Sequence, residues 1–179
     1  MRYARFAAAL GIAVCCGGAV QAGDSKDLSC HGLRLGMSEA ALSEDFPEFK
    51  CEADGSNPEL RRCKGKFDPT KSPGPFQKLR GSHVESLLTF RGGKLVNIHI
   101  PFYSALFEPG SLFFVQYYGQ PKMTQGLIKN GQGTERENTT LIWTRGNESI
   151  IYWKIDEDRF MNGNDDTSSR ILFVLKEDT

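Results

Sequence analysis

The sequence lacks most of the features that assign a protein to a large functional class. Its 22 Lys and Arg residues are balanced by 22 Asp and Glu residues, so no excess of charge points to nucleic acid or to a membrane surface. After the first 22 residues, no apolar run approaches the roughly 20 residues that a spanning helix needs. The sequence contains no zinc-binding spacing, P-loop, dinucleotide fingerprint or nucleophile elbow. The hydrophobic fraction of 39% is typical of a chain that folds, and we expect one domain of ordinary size.

Residues 1–22 have the pattern of a secretory signal peptide. A positive start with two Arg residues is followed by an apolar stretch and by Val-Gln-Ala, a small-x-small cleavage site. The short signal indicates a bacterial protein, so we predict that a single domain of residues 23–179 is periplasmic or secreted. Cys15 and Cys16 leave lipidation open as an alternative, which would anchor that domain to a membrane.

The exported domain would keep three cysteines, which is an odd number. In an oxidising compartment we expect one disulfide and one free thiol, and three pairings are possible. We favour Cys51 with Cys63, because the twelve-residue step between them contains the turn-rich residues 54–58. Closing a loop of this length contributes about 3 kcal/mol by the chain-entropy estimate. Cys30 is then the free thiol.

Local patterns predict an α+β domain with an antiparallel sheet of about five to six strands and two helices packed on one face. Ser38 is a favourable N-cap for a helix over residues 39–45, which Pro47 stops. Pro109 at a first helical position and Gly119 as the C-cap bound the second helix. The predicted strands cover residues 33–35, 84–90, 96–100, 139–145, 148–155 and 170–176.

Two hairpins follow from glycine-containing turns. Gly92-Gly93 allows two registers: a two-residue turn pairs Phe90 with Leu95, whereas a longer bulged turn pairs Phe90 with Val96 and Leu88 with Ile98. We favour the bulged form, because it collects the apolar residues on one face. The turn at Gly146-Asn147 pairs Trp143 with Ile150, Leu141 with Tyr152, and Ile142 with Ile151.

Three stretches are predicted to lack regular structure. Residues 50–82 are polar and rich in Gly and Pro, which indicates a long surface loop held by the disulfide. Residues 120–138 are predicted to form a Gly-rich connection between the second helix and the second hairpin. The acidic groups at residues 156–158 and 162–166 lack the spacing of a calcium loop, so we predict a solvated connection before the last strand.

The residues Leu33-Arg34-Leu35-Gly36-Met37-Ser38, followed by Ala41-Leu42 and Phe46-Pro47, resemble the opening of small exported bacterial proteins that carry a strand, a Gly-Met-Ser/Thr segment and a helix. The SmpA/OmlA-type outer-membrane assembly lipoproteins and the β-lactamase-inhibitor-like fold share this unit. Phe114-Val115 and Tyr118-Gly119-Gln120-Pro121 resemble the end of the helix in such a unit. A group of uncharacterised exported bacterial proteins has two cysteines after the first helix, matched here by Cys51 and Cys63. The resemblance implies protein binding by analogy of fold.

Two groups of side chains are candidates for binding a partner. Trp143, Tyr152 and Trp153 make the second hairpin apolar on both sides, and either a helix or a partner must cover the second side. Arg61, Arg62 and Lys64 begin a stretch, residues 61–80, with seven basic residues and one acidic residue. Such a stretch steers an acidic partner or an anionic lipid, or it is only a solvated loop or one that lies against the acidic end of the same chain.

We therefore expect a non-enzymatic protein-binding module of the cell envelope, with no cofactor and no nucleic acid. Its partner is an unidentified envelope protein. One alternative is an inhibitor or immunity protein against a hydrolase. The other is a periplasmic enzyme or metal-binding protein centred on Cys30, His31 and His99, for which no orienting carboxylate or metal-ligand spacing is evident.

Overall fold

The computed structural model describes residues 28–30, 32–67, 84–163 and 165–176. In chain order the elements are β1 Ser29–Cys30, β2 Leu33–Arg34, α1 Glu39–Asp45, β3 Lys50–Ala53, β4 Leu60–Phe67, β5 Val84–Arg91, β6 Lys94–Tyr103, α2 Phe107–Tyr118, β7 Lys122–Lys129, β8 Glu135–Arg145, β9 Glu148–Trp153, α3 Glu157–Gly163 and β10 Ser168–Leu175. A 3-10 turn, Ser104–Leu106, precedes α2. The predicted signal peptide and much of the loop predicted at residues 50–82 lie outside the described residues.

The α+β class is confirmed, but the sheet is larger than the five to six strands predicted. In the part of the chain that the structure describes, eight antiparallel strands run in the order β3-β4-β5-β6-β10-β9-β8-β7, and β1 and β2 form a separate two-stranded sheet. Within the described residues, no helix is long and apolar enough to span a membrane.

Both predicted helices form, and their caps explain where they end. The Ser38 hydroxyl accepts the backbone N–H of Ala41 at 3.2 Å, which satisfies one of the unpaired donors at the start of α1. Helix α2 begins at Phe107, two residues before the predicted Pro109; proline is tolerated there because the first turn needs no N–H donor. Gly119 ends α2 with φ +85°, a conformation that favours glycine.

The first hairpin combines the two registers that the sequence allowed. Gly92 and Gly93 form a two-residue turn with φ of +56° and +75°, so Phe90 pairs with Leu95. The register then shifts between Thr89 and Phe90, and Leu88 pairs with Ile98 as the bulged form required. The bulge lies in the strand, so the favoured pairing of Phe90 with Val96 is wrong. The second hairpin has the predicted register throughout.

Three predictions of irregular structure are wrong. Lys50–Ala53 and Leu60–Phe67 are strands, because each pairs along its length with a neighbouring strand despite a polar sequence. Lys122–Lys129 is an edge strand in the supposed Gly-rich connection. Glu157–Gly163 is a short helix: the Asp156 carboxylate accepts the backbone N–H of Asp158 at 3.1 Å and so caps its first turn.

One face of the large sheet, which we call the inner face, carries the core. Residues paired across adjacent strands point to the same side, so the register defines a row that crosses seven strands. This inner row consists of Cys51, Cys63, Leu88, Ile98, Phe173, Ile150 and Trp143. All of these except Cys51 are buried. Helices α1 and α2 and the two-stranded sheet contribute Leu42, Phe114 and Leu33 to the same cluster.

The disulfide between Cys51 and Cys63 is confirmed. Its cysteines are directly paired on β3 and β4, at one end of the inner row. The Cys63 side chain is fully buried, whereas Cys51 is half-buried. The bond therefore attaches the edge strand β3 to the hydrophobic core, rather than holding a loop as the sequence indicated.

Candidate functional site

The outer face of the sheet holds a second row that crosses all eight strands. The residues next to the inner-row residues along each strand have their side chains on the opposite face, and the pairing of the strands aligns them in a row as well. This outer row consists of Lys50, Lys64, Leu87, His99, Leu172, Ile151, Ile142 and Lys122. The lysines at both ends are exposed, and the five residues between them are half-buried. The outer face therefore has an apolar middle with positive charge at both ends.

Helix α3 lies at one end of this outer face. Arg170 projects from β10 on the outer side and forms ion pairs with Asp158 and, at 3.5 Å, with Asp156. Asn138 of β8 donates to the Ile155 carbonyl at 3.1 Å and accepts the Ile155 N–H at 2.9 Å. These bonds fix the segment that leads into α3, while α1 and α2 pack on the inner side.

Trp143 and Tyr152, two of the aromatic residues predicted to bind a partner, lie in the core. Their exposed fractions are 4% and 0%, and the Phe114 ring of α2 packs on both with centroid distances of 5.6 and 5.4 Å. The Trp143 indole also donates to the Gly119 carbonyl at 2.7 Å, which satisfies an acceptor at the end of α2. The side that they cover is thus closed by a helix, which leaves Tyr152 fully enclosed and Trp143 exposed over only 4% of its surface.

Trp153, the third aromatic candidate, lies on the outer face and is half-buried. The Arg170 guanidinium stacks over its ring with a carbon-to-centroid distance of 4.4 Å, a cation–π contact. Because Arg170 is also held by Asp156 and Asp158, the orientation of the indole is fixed. The structure separates Trp153 from Trp143 and Tyr152, as the predicted register requires.

The three cationic candidates divide between the two sides of β4. Arg61 points to the inner side, where its guanidinium pairs with Glu39 of α1 at 2.8 Å. Arg62 and Lys64 belong to the outer side: Arg62 pairs with Asp54 at 2.6 Å, and Lys64 approaches Glu52 at 3.8 Å. The Lys64 side chain is 60% exposed, so that long contact contributes little and exchanges readily with another carboxylate.

A cleft of about 350 Å³ lies at the rim of the sheet beside the Lys122 end of the outer row, and residues of both faces line it. Strand β7 begins opposite Ile142, which leaves the last residues of β8 without a strand on that side in the described chain. The cleft is lined by Tyr118, Gln120, Lys122, Ile142, Trp143, Thr144 and Arg145. Its two cations, Lys122 and Arg145, suit a carboxylate side chain, and Ile142 beside them suits an apolar neighbour of that carboxylate.

His99 lies in the middle of the outer row and is biased toward its neutral form. Burial, and next the positive charge of Arg170, lower the pKa of His99 below its usual value. Its Nε2 atom is buried and has no hydrogen-bond partner among the described residues, and the same holds for the Asn97 Oδ1 two residues earlier. The imidazole thus acts as part of the apolar middle rather than as a further cation.

The alternative centre around Cys30 and His99 is not assembled. Cys30 is a buried free thiol in the inner cluster with Leu33 and Tyr118, and burial raises its pKa well above the usual value, which favours the unreactive protonated form. His99 points to the opposite side of the sheet. His31 lies outside the described residues. No group of three potential metal ligands occurs within the described chain.

Comparison with protein-family models, curated proteins and solved structures gives no match to this chain. The geometry of the outer face is therefore the basis on which a function can be proposed. The outer-row residues Leu87, Ile142, Ile151 and Leu172 were not identified from the sequence as binding residues. The available signal was the adjacency of apolar pairs, Leu87-Leu88 and Ile150-Ile151 among them, because a strand with consecutive apolar residues presents them to both sides.

Proposed function

We propose that this chain is an exported, non-enzymatic protein-binding module of the bacterial cell envelope, and that it binds its partner on the outer face. The observation that carries the proposal is the outer row, with five half-buried residues between exposed lysines at both ends of the sheet. Surfaces of this kind, apolar in the middle and polar at the rim, are typical of protein interfaces.

The charges of the outer row select an acidic partner. Lys50 and Lys64 lie at one end and Lys122 at the other, so a partner segment with apolar side chains between carboxylates matches the row. The Lys122 cleft receives one such carboxylate, with Arg145 on its wall. Electrostatic complementarity of this kind accelerates encounter and fixes the orientation of the bound segment.

Export is the second part of the proposal. It is supported by the signal-like residues 1–22 and by the disulfide, since stable disulfides belong mainly to oxidising compartments. Cell fractionation followed by N-terminal sequencing tests it: we expect the chain in the periplasm, starting at Gly23. Recovery of the chain from the cytosol with Met1 at its start would contradict export.

Site-specific photo-cross-linking in the cell envelope tests the binding surface. A photoreactive residue at Thr144, which lines the cleft on the outer side, is expected to form a discrete adduct with an envelope protein. The matched control places the same residue at Leu112 of α2, which is 64% exposed above the inner face. Adducts of equal yield at both positions would contradict a binding site on the outer face.

Charge reversal then tests the selection of an acidic partner. Lys64→Glu and Lys122→Glu are both at exposed positions, so the fold should be retained. Each is expected to lower the adduct yield at position 144 several-fold, and the two together more than either alone. Leu112→Glu controls for the added negative charge. An undiminished yield in the double variant would refute the charge selection.

A further inference from the structure

Strand β7 is an open edge of the large sheet. It pairs with β8 over all eight of its residues and, within the described chain, with no strand on its other side. Seven of its residues are exposed, and Ile128 is half-buried. The backbone N–H and C=O groups on the side of β7 away from β8 therefore form a template for another strand.

The two edges of the sheet differ in how they are protected. Strand β3 at the opposite edge has four residues and is attached to its neighbour by the disulfide. Strand β7 is twice as long, and its only charged residues, Lys122 and Lys129, stand at its ends. Charges, prolines and bulges in the middle of an edge strand normally prevent pairing with another strand, and residues 123–128 contain no charge and no proline. The pairing with β8 is regular throughout.

Exposed apolar side chains occupy symmetric positions on β7. Met123 is 60% exposed and Leu127 is 69% exposed, two of the five large apolar residues so exposed in the described chain. Both point to the same side, because they are four residues apart on one strand. Gln125 lies midway between them. Read in either direction from Gln125, the strand has a small residue, Thr124 or Gly126, and then a large apolar residue.

We propose that two copies of this chain pair through antiparallel β7 strands, with the two-fold axis at Gln125. This register places Met123 of each copy against Leu127 of the other, so the contact forms twice and covers both exposed apolar residues of each copy. It also places Lys122 opposite Ile128. The neighbouring two-fold registers, centred on Thr124 or Gly126, place Met123 or Leu127 against Gln125 instead, so the apolar pair does not form. The pattern around Gln125 is what selects a second copy as the occupant, since an isologous interface requires self-complementarity.

The remaining charges do not oppose this pairing. Lys129 lies at the strand end, and its ammonium group is already 3.3 Å from the Glu135 carboxylate of the same chain. The pairing extends the sheet across both copies and lies on its edge, whereas the proposed partner surface is the outer face. Lys122 belongs to both surfaces, but the pairing depends on Met123, Gln125 and Leu127, which the binding proposal does not use, so the two proposals fail independently.

Sedimentation of the full mature chain tests the assembly. We expect a reversible monomer–dimer equilibrium at concentrations up to about 200 μM. Met123→Lys combined with Leu127→Lys places lysine against lysine across the axis, so the dissociation constant should rise about tenfold or more. Both positions are exposed, so the fold should be retained, as circular dichroism will check. Leu112→Lys, at an equally exposed apolar residue of α2, is the matched control.

A charge-complementary variant identifies the register. Met123→Lys combined with Leu127→Glu places lysine opposite glutamate twice, and only in the register centred on Gln125. Dimer formation should return toward the wild-type level in this variant. A wild-type chain that stays monomeric throughout, or a dimer unaffected by the lysine pair, would overturn the proposal.

Cross-linking gives an independent measurement. Gln125→Cys lies on the two-fold axis, so mild oxidation should join two copies through this residue. The native cysteines do not compete, because Cys30 is buried and Cys51 and Cys63 are bonded. Thr124→Cys, on the adjacent residue, points to the other side of the strand and faces Gly126 of the other copy; it should cross-link far less. Equal cross-linking of the two variants would contradict the register.

Discussion

The inner and outer faces of the sheet are made by neighbouring residues of the same strands, yet their surroundings differ. On the inner face, Phe173 is fully buried and packs beneath α2 through the Tyr118 ring, at a centroid distance of 6.5 Å. On the outer face, the adjacent Leu172 is half-buried between His99 and Ile151. The two faces are both apolar in their middle, so hydrophobicity alone does not distinguish the face that forms the core from the face proposed to bind a partner. Within the described residues, the difference is that α1 and α2 pack on the inner face.

We expect the largest effect from a substitution on the inner face of the sheet. Phe173→Ala removes a ring from the packed cluster and should lower the free energy of unfolding by about 3–5 kcal/mol. Leu172→Ala, one residue away, should cost only about 1 kcal/mol, because its side chain is already partly in water. Urea denaturation of both variants provides the measurement. Similar losses would show that the outer face is packed as tightly as the inner face.

Removing the disulfide measures how much the cross-link at the β3 edge of the inner row stabilises the fold. Replacing Cys51 and Cys63 with Ala should lower the free energy of unfolding by about 3 kcal/mol, through loss of the cross-link that restricts the unfolded chain. Dithiothreitol should produce a similar loss in the wild type and no further loss in the double variant. Thermal unfolding with and without reductant measures this, and a wild type insensitive to reduction would contradict it.

The close contact between α2 and the sheet tests how tightly the inner face is packed. A Cβ atom at Gly110 would lie 2.7 Å from the Tyr152 hydroxyl oxygen, too close for a packed core. Gly110→Ala should therefore destabilise the fold by about 1–3 kcal/mol, although alanine favours helix formation. In a Tyr152→Phe background the conflict is removed, and the same substitution should be nearly neutral. A double-mutant cycle by urea denaturation measures the coupling, and strictly additive effects would argue against close packing here.

The smallest expected effect concerns pH and the outer face. Because the folded state lowers the pKa of His99, the unfolded state binds a proton first as the pH falls below about 6.5. The stability that this histidine contributes is therefore present above that pH and is lost as the pH falls toward its lowered pKa. His99→Gln should flatten the dependence of the unfolding free energy on pH in that window. The comparison is urea denaturation at several pH values, and an unchanged slope would contradict the effect.

Elements with strong local signals were predictable from the sequence. Ser38 and Gly119 bound helices because capping groups satisfy backbone atoms within a few residues of them. The Gly146-Asn147 turn determined the register of the second hairpin for the same local reason. At the first hairpin, the Gly92-Gly93 turn and the apolar alternation favour different registers, and a bulge within the strand reconciles them.

The missed elements are those whose formation depends on partners far along the chain. The sequence of strand β4 is rich in cationic residues and contains a glycine, so it has no apolar alternation. It is a strand because β3 and β5 pair with it on both sides. Strand β7 has one partner strand among the residues described and is exposed along most of its length, so its apolar and polar residues need not alternate as they do in a half-buried strand. Likewise, the outer row was not predictable, because it is aligned only when eight separate strands are in register.

The position of the two tryptophans gives the protein a native optical probe for each face. Trp143 lies in the core, with its indole N–H bonded to the end of α2, and Trp153 lies under the Arg170 guanidinium on the outer side. The chain has no other tryptophan. Fluorescence of a variant that retains only one of them therefore reports separately on loosening of the core or on events at the opposite surface, without an added label.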